Sequence, residues 1–319
     1  MRNQILAQAL VEPAFCSRAF SCANTPRAPR PQEDKSSSWR LGALGVLARS
    51  ALADIKLASV FSIAFAIVIS IAGCTDNKPS PQQSTQLSSG FKALDEQQSA
   101  LAIDRADEYL RQQPHGPGSA EALYLKGRGY EQKAAADPKE IQRNLSEART
   151  AYQEALMQQP SPKTEGYIRA SLSNVAFFED DYSTALSEAS RAYSLVDTPE
   201  IQSMLLYRMG VSQQRLSRFT EADRTFEQVQ QRYPNSAIAE RAREHQGQRN
   251  FFVQLATFNT PAGADKATDS LKNSGIVVSK RSDKAGHTLV DAGPFSTYES
   301  ARDAKTRFAA QYPDALIVP

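Results

Sequence analysis

The sequence predicts an array of paired α-helices followed by a small α+β domain, and two observations carry this prediction. Between residues 93 and 249 the apolar residues follow helical spacing, and alanines recur every 37 residues at Ala148, Ala185 and Ala222. Over residues 250–319 the pattern reads strand, helix, strand, strand, helix, strand. That order is typical of a ferredoxin-like βαββαβ fold.

Residues 1–54 are not predicted to form a domain. They contain the run Pro26-Arg27-Ala28-Pro29-Arg30-Pro31 and a serine run at 36–38, without sustained apolar periodicity. No core can form from such a segment, so we expect a disordered leader or a start site placed too far upstream. Cys16 and Cys22 lie within it, and their spacing matches no metal-binding pattern closely.

Residues 55–74 are predicted to be a lipoprotein signal peptide. Their 17 uncharged residues from Leu57 to Gly73 would span roughly 26 Å as a helix, slightly less than a bilayer core of about 30 Å. The stretch ends in small residues rather than a basic flank, which favours a cleaved secretory signal. Its tail, Ile71-Ala72-Gly73-Cys74, resembles the bacterial lipobox, which implies cleavage before Cys74 and lipidation of its thiol. The alternatives are an uncleaved membrane anchor and a buried core helix, and the flanking sequence argues against the core helix.

The residues after Cys74 bear on where such a protein would be placed. In Gram-negative lipoproteins, Asp at the next position commonly means retention in the inner membrane. Here that position is Thr75, so the resemblance implies the outer membrane, facing the periplasm. Residues 75–92 are mostly Pro, Ser, Gln and Thr and are predicted to be a flexible linker, with a reach of about 20–25 Å.

The helical segment of residues 93–249 resembles the tetratricopeptide repeat (TPR). Two units follow the pattern A-x3-F-x2-A-x4-P of its second helix, with one substitution each: Ala148, Tyr152, Ala155 and Pro160; Ala222, Phe226, Val229 and Pro234. Gly127 and Gly210 fall in the matching first helices, where small residues let paired helices approach closely. A TPR-like solenoid implies a surface that holds a protein partner, and the sequence does not identify that partner.

The last 70 residues are predicted in more detail. The first strand covers Phe251–Phe258, and the following helix buries Ala264, Ala267 and Leu271. The remaining predicted elements are a short strand at 276–278, a turn at 282–286, a third strand from Leu289 that ends at Pro294, a helix at about 297–312 and a strand at 315–318. Two helices cover one face of such a sheet and leave the other open.

This segment resembles the SPOR domain, whose signature is V-Q-x-G-x-F in the first strand and R-V-x-V-G-P-F in the third. The most specific matches are Val253-Gln254 and Gly293-Pro294-Phe295. Ala256 replaces the usual Gly, and Leu289 replaces the usual Arg, so any ligand contact of that Arg is absent at this position. The resemblance implies binding to peptidoglycan across the open sheet face, specifically to glycan strands that have lost their stem peptides.

Strand alternation suggests which side chains would meet the glycan. Gln254 can donate to and accept from sugar hydroxyl and acetamido groups, and apolar side chains can pack on sugar rings. The resemblance and the alternation together select seven candidates: Phe252, Gln254, Thr257, Phe258, Leu289, Asp291 and Phe295. The alternatives stay open that Phe252 and Leu289 are surface hydrophobes, and that Phe258 and Phe295 pack at the rim of the core.

The composition argues against nucleic-acid binding and against catalysis. Residues 250–319 contain eight Lys/Arg and seven Asp/Glu, so no excess positive charge favours a phosphate backbone. His115, His245 and His287 lie outside any metal or triad motif, and no phosphate-binding glycine loop is present. A glycan-cleaving enzyme needs two placed carboxylates, and only Asp291 can be placed beside the ligand. We therefore expect a binding protein without metal or cofactor.

The leading hypothesis is a lipid-anchored envelope protein that binds stripped glycan strands through its last domain and a protein partner through its repeats. Such a protein would act in cell-wall remodelling or division. The rival hypothesis is a TPR adaptor lipoprotein of the outer-membrane assembly type, whose C-terminal domain is vestigial. The loss of the family's Arg at Leu289 favours the rival.

Overall fold

The structure, a computed structural model, describes residues 79–319 apart from residues 273, 284 and 285. The predicted leader, the signal peptide and Cys74 lie outside the described residues. The first part is a stack of helices: α1 (Pro81–Asp95), α2 (Ser99–Gln112), α3 (Ser119–Gln132), α4 (Pro138–Met157), α5 (Pro162–Phe178), α6 (Tyr182–Leu195), α7 (Pro199–Arg215), α8 (Phe219–Arg232) and α9 (Ala237–His245). Helices adjacent in sequence pack against each other, as in a TPR-like solenoid.

Small residues and aromatic rings alternate at the contacts between paired helices. Ala148, Ala185 and Ala222 are at most 1% exposed. The ring of Phe226 in α8 fills the space beside Gly210 in α7, where an added Cβ would lie 2.6 Å from the nearest ring atom. The alanines that recur every 37 residues therefore lie at close contacts between paired helices, as the sequence predicted.

The prediction of a flexible linker over residues 75–92 is wrong from Pro81 onward, where α1 begins. Ser80 and Gln83 form a reciprocal capping box at its start. Leu87, Phe91 and Leu94 are at most 7% exposed and follow helical spacing. The polar composition conceals this apolar stripe, and the helical array starts at Pro81 rather than at residue 93.

The second part consists of β1 (Phe251–Phe258), α10 (Pro261–Ser270), β2 (Val278–Ser282), β3 (Thr288–Phe295), α11 (Tyr298–Phe308) and β4 (Leu316–Val318). The sheet order is β2-β3-β1-β4 with antiparallel neighbours, which is the ferredoxin-like order.

Two predicted strand boundaries in this domain are wrong. The second strand begins at Val278 instead of ending there, and the third strand continues through Pro294 to Phe295. Pro294 is tolerated because it lies in the register shift of the β1–β3 pairing, between Ala292 and Phe295, where the ladder of hydrogen bonds is interrupted.

The described residues belong to one compact unit, and an aromatic cluster joins the sheet to the helices. The ring of Tyr298, at the start of α11, lies edge-on to Tyr182, with 5.1 Å between the centroids. The guanidinium of Arg215 lies 4.5 Å from the ring centroid of Phe177 and 4.7 Å from that of Tyr298. Tyr298 also packs on Phe251 of β1, at 5.6 Å. We call Phe177, Tyr182, Arg215 and Tyr298 the aromatic clamp.

Candidate glycan-binding face

The open face of the sheet is the side that α10 and α11 leave uncovered. Val253, Val290 and Ala292 form a buried cluster with residues of both helices, so their side chains define the covered face. Directly opposite residues of an antiparallel pair share a face. Gln254 and Asp291 are such a pair and are neighbours of Val253 and Ala292 along their strands, so they lie on the open side.

A bulge in β1 reverses the sides of the last residues of this strand. The pairing shifts by one residue after Gln254, so Leu255 is extra. Thr257 consequently faces the open side opposite Leu289, whereas Phe258 packs against the buried cluster. The prediction that Phe258 contacts the glycan is corrected: its ring packs on the covered side of the sheet, because one inserted residue moves every later side chain to the other face.

A second register shift moves Phe295 in the same way. Phe251 pairs with Phe295 while Val253 pairs with Ala292, so β3 carries one extra residue between them. Gly293 lies in this irregularity and has φ +135°, a backbone conformation that favours glycine. Phe295 shares the covered side with Phe251 and packs on the core, so its predicted glycan contact is corrected as well.

The other five predicted residues lie on the open face, but at different depths. Phe252 and Gln254 are half-buried and Thr257 is exposed. Leu289 and Asp291 are only 6% and 3% exposed. The first three can meet a ligand directly, whereas Leu289 and Asp291 form the floor of the face.

Arg281 of β2 is the residue of this face that sequence reasoning missed. It lies directly opposite Leu289. Its Nε donates to Asp291 Oδ2 at 2.5 Å, and its Nη2 donates to Gln254 Oε1 at 3.0 Å. Gln254 Nε2 in turn donates to Thr257 Oγ1 at 3.3 Å. The guanidinium that the family signature places on the third strand therefore reaches the same face from the neighbouring strand.

The carboxylate of Asp291 holds this arrangement from below. Its Oδ1 is buried and has no hydrogen-bond partner among the described residues, and Arg281 forms an ion pair with Oδ2. Removal of the guanidinium would leave the buried carboxylate without its cation, which is unfavourable. Asp291 therefore keeps the guanidinium in place.

The half of the face formed by β1 and β4 is apolar. Phe252 lies opposite Val318, and Gln254 lies opposite Leu316, so these β4 side chains share the open side. Phe252, Leu316 and Val318 are all half-buried. The open face thus joins an apolar strip to a polar strip of Gln254, Thr257 and Arg281. A sugar chain offers matching surfaces, with apolar ring faces and hydroxyl or acetamido groups along its edges.

In the helical array, a chain of polar side chains connects α3, α5 and α7, which are the first helices of three successive repeats. We call it the polar ladder. Asn174 of α5 donates to Glu131 of α3, and Arg208 of α7 donates to Asn174. Tyr152 donates to the same Glu131 at 2.6 Å. Desolvation lowers the pKa of Arg208 to about 10, against the raising effect of Glu131, so Arg208 stays charged at neutral pH. These groups satisfy each other, and the ladder therefore links the repeats.

The histidines make structural contacts. His245 hydrogen-bonds Tyr207 and Gln214, His287 contacts Asp283, and His115 contacts the side chain of Gln158. Within residues 79–319, the described His, Cys, Asp and Glu side chains form no group of three that could hold a metal ion. The described helices also include none long and apolar enough to cross a bilayer.

Comparison with known proteins gives one family match in each part of the chain. Residues 247–319 match the SPOR domain, and residues 205–236 match a tetratricopeptide repeat. None of the curated proteins matches the chain. Among solved structures, a thermophilic TPR protein of Thermus thermophilus shares 14% identity at a TM-score of 0.41, covering 51% of this chain and 80% of its own. The MamA protein shares 16% identity at a TM-score of 0.40, covering 74% and 98%.

Proposed function

We propose that this protein, which carries a SPOR domain behind tetratricopeptide repeats, binds peptidoglycan glycan strands that lack stem peptides. SPOR domains bind peptidoglycan and TPR repeats mediate protein interactions, so the chain is a cell-wall-related TPR protein associated with the cell envelope. The observation that carries the finer proposal is the open face, on which an apolar strip lies beside the hydrogen-bonding strip of Gln254, Thr257 and Arg281.

The two strips assign roles to single residues. The ring of Phe252 is positioned to pack against the face of a sugar ring, with Leu316 and Val318 beside it. Gln254 already uses Oε1 for Arg281 and Nε2 for Thr257, but a primary amide has two donor hydrogens and a second lone pair for a ligand. The buried floor of Leu289 and Asp291 keeps these groups in place.

Co-sedimentation of the full chain with purified sacculi tests this proposal. We expect binding to rise after an amidase has removed the stem peptides, because the strands become accessible along their length. Phe252→Ala should weaken binding by about tenfold, since a half-buried ring that packs on a ligand contributes on the order of 1–2 kcal/mol. Met157→Ala removes an exposed apolar side chain from the array and serves as the matched control. The proposal fails if the folded chain stays in the supernatant with untreated and amidase-treated sacculi alike.

For the anchor, we propose cleavage before Cys74 and lipidation of its thiol, with placement in the outer membrane facing the periplasm. The lipobox-like tail and Thr75 support this. Intact-mass analysis of protein from cells should show a chain that begins at Cys74 with added acyl mass, and Cys74→Ser should abolish the acylation. A mature chain that still contains Leu57 would instead indicate an uncleaved anchor.

The repeats are proposed to hold an envelope protein during cell-wall remodelling or division. The rival function, a TPR adaptor of outer-membrane assembly with a vestigial last domain, drew its support from the missing Arg at Leu289. Arg281 lies directly opposite that position, which weakens the argument for loss of function. Deletion of residues 247–319 distinguishes the two functions. If the protein acts by binding glycan, the truncated protein should be mislocalised in the cell, whereas a TPR adaptor should keep its localisation.

A further inference from the structure

The guanidinium of Arg281 has one occupied edge and one open edge. Nε and Nη2 lie on the same edge, and they donate to Asp291 and Gln254. No acceptor among the described residues bonds to Nη1, and the side chain is 49% exposed. The planar guanidinium carries five donors in a fork that matches a carboxylate bidentately. Its Nη1 side therefore faces outward with the geometry that binds a carboxylate.

This outward edge is held in a fixed orientation. Asp291 is 3% exposed, so the ion pair with Arg281 is shielded from solvent on the side of the carboxylate. Movement of Arg281 away from the sheet would leave Asp291 buried without a cation, which is strongly unfavourable. A ligand consequently meets a side chain whose conformational freedom is already restricted, and less entropy is lost on binding.

We infer that Arg281 binds the lactyl carboxylates of the glycan and thereby makes the face selective for strands without stem peptides. This inference rests on the proposed function and extends it to a named chemical group. In peptidoglycan the lactyl carboxyl is joined to the stem peptide by an amide bond, so it carries no charge there. Hydrolysis of that amide releases a carboxylate on every second sugar, which is the anion that the open edge of Arg281 matches.

Among the described residues of β2, Arg281 is the cation that lies on the open face. Lys280 precedes it in β2 but lies on the other side of the strand, where its Nζ contacts Asp265 of α10. The negative charge of Asp291 is matched by Arg281 itself, so a ligand carboxylate meets a nearly neutral pair with free donors. Its hydrogen bonds therefore contribute more to the affinity than long-range attraction does.

The test measures binding of the full chain to two forms of the same amidase-treated strands. One form keeps the free lactyl carboxylates, and in the other they are converted chemically to neutral methylamides. The native protein should bind the carboxylate form about tenfold more tightly, as expected for a charge-assisted bidentate contact. Arg281→Gln should bind both forms equally. Lys280→Gln removes the same charge from the adjacent residue, which lies on the other side of the strand, and should keep the preference.

A double variant shows whether lost preference results from misfolding rather than from the loss of the ligand contact. Arg281→Gln leaves Asp291 buried without a cation, so Arg281→Gln combined with Asp291→Asn removes both charges. The double variant should fold and should also bind both forms equally. Equal binding of the two forms by the native protein would overturn the inference, for example because acetamido carbonyls use the same donors. Preference retained in the double variant would overturn it too. Failure of the native protein to bind either form would instead refute the proposed function.

Discussion

Acidification is expected to loosen helix α9 through His245. The ring donates from Nδ1 to Gln214 Oε1 at 2.8 Å and accepts at Nε2 from the hydroxyl of Tyr207 at 3.1 Å when it is neutral. Desolvation, followed by the nearby charge of Arg215, lowers the pKa of His245 from 6.5 to about 4. A lowered folded pKa means that the unfolded chain takes up the proton first. The contribution of His245 to the free energy of unfolding is therefore fully present above pH 6.5 and is lost as the pH falls towards 4.

The expected magnitude follows from the two pKa values. A pKa of about 4 in the folded state against 6.5 in the unfolded state corresponds to a loss of about 2 kcal/mol in the free energy of unfolding between pH 7 and pH 5. Urea titrations followed by circular dichroism at several pH values would measure it. His245→Asn keeps a donor for Gln214 but cannot titrate, so its stability should fall less over this range. Parallel losses in the native protein and in the variant would refute the reasoning, because carboxylates titrate equally in both.

Three further predictions concern the array and its contact with the sheet. Gly210→Ala should destabilise the protein by about 1–3 kcal/mol in urea unfolding, because the new Cβ would meet the ring of Phe226; helix propensity alone predicts a gain of about 1 kcal/mol. Phe91→Ala should cost about 3 kcal/mol by the same assay, whereas no change would mean that residues 81–95 do not pack as a helix. Arg215→Ala removes the cation of the aromatic clamp beside Tyr298 and should increase the radius of gyration in small-angle X-ray scattering, while an unchanged scattering curve would contradict a role of the clamp in docking the sheet.

The contact between the sheet and the helical array leaves the open face of the sheet uncovered. Two residues of the last domain contact the array. Phe251 lies on the helix-covered side of the sheet, and Tyr298 lies at the start of α11. The face with Gln254 and Arg281 lies on the opposite side of the strands. A glycan strand bound on this face would therefore not compete with the contacts between the sheet and the array.

Much of the fold was predictable because its signals are local. The alanines at a 37-residue interval and the glycines opposite aromatic rings report helix contacts within one repeat. The order of strands and helices in the last domain follows from apolar periods of two and 3.6. The linker prediction failed where composition was allowed to outweigh spacing: Leu87, Phe91 and Leu94 form a stripe that becomes meaningful only when another helix covers it.

The candidate site was less predictable because it depends on strand register. Simple alternation placed Phe258 and Phe295 on the glycan side, and one inserted residue near each moved both rings to the covered side, where they pack against the core. Arg281 was overlooked because the second strand was predicted to end at Val278. A search of the hairpin for a basic residue opposite Leu289 would have found it.

The sequence by itself determined the repeat length, the order of elements and the SPOR resemblance, since these depend on residues near each other in the chain. Tertiary structure alone decided which side chains share the open face. Gln254, Arg281 and Asp291 meet there from three different strands. Such contacts depend on hydrogen-bond register across the sheet, and a single bulge changes that register without leaving a mark in the local pattern of polar and apolar residues.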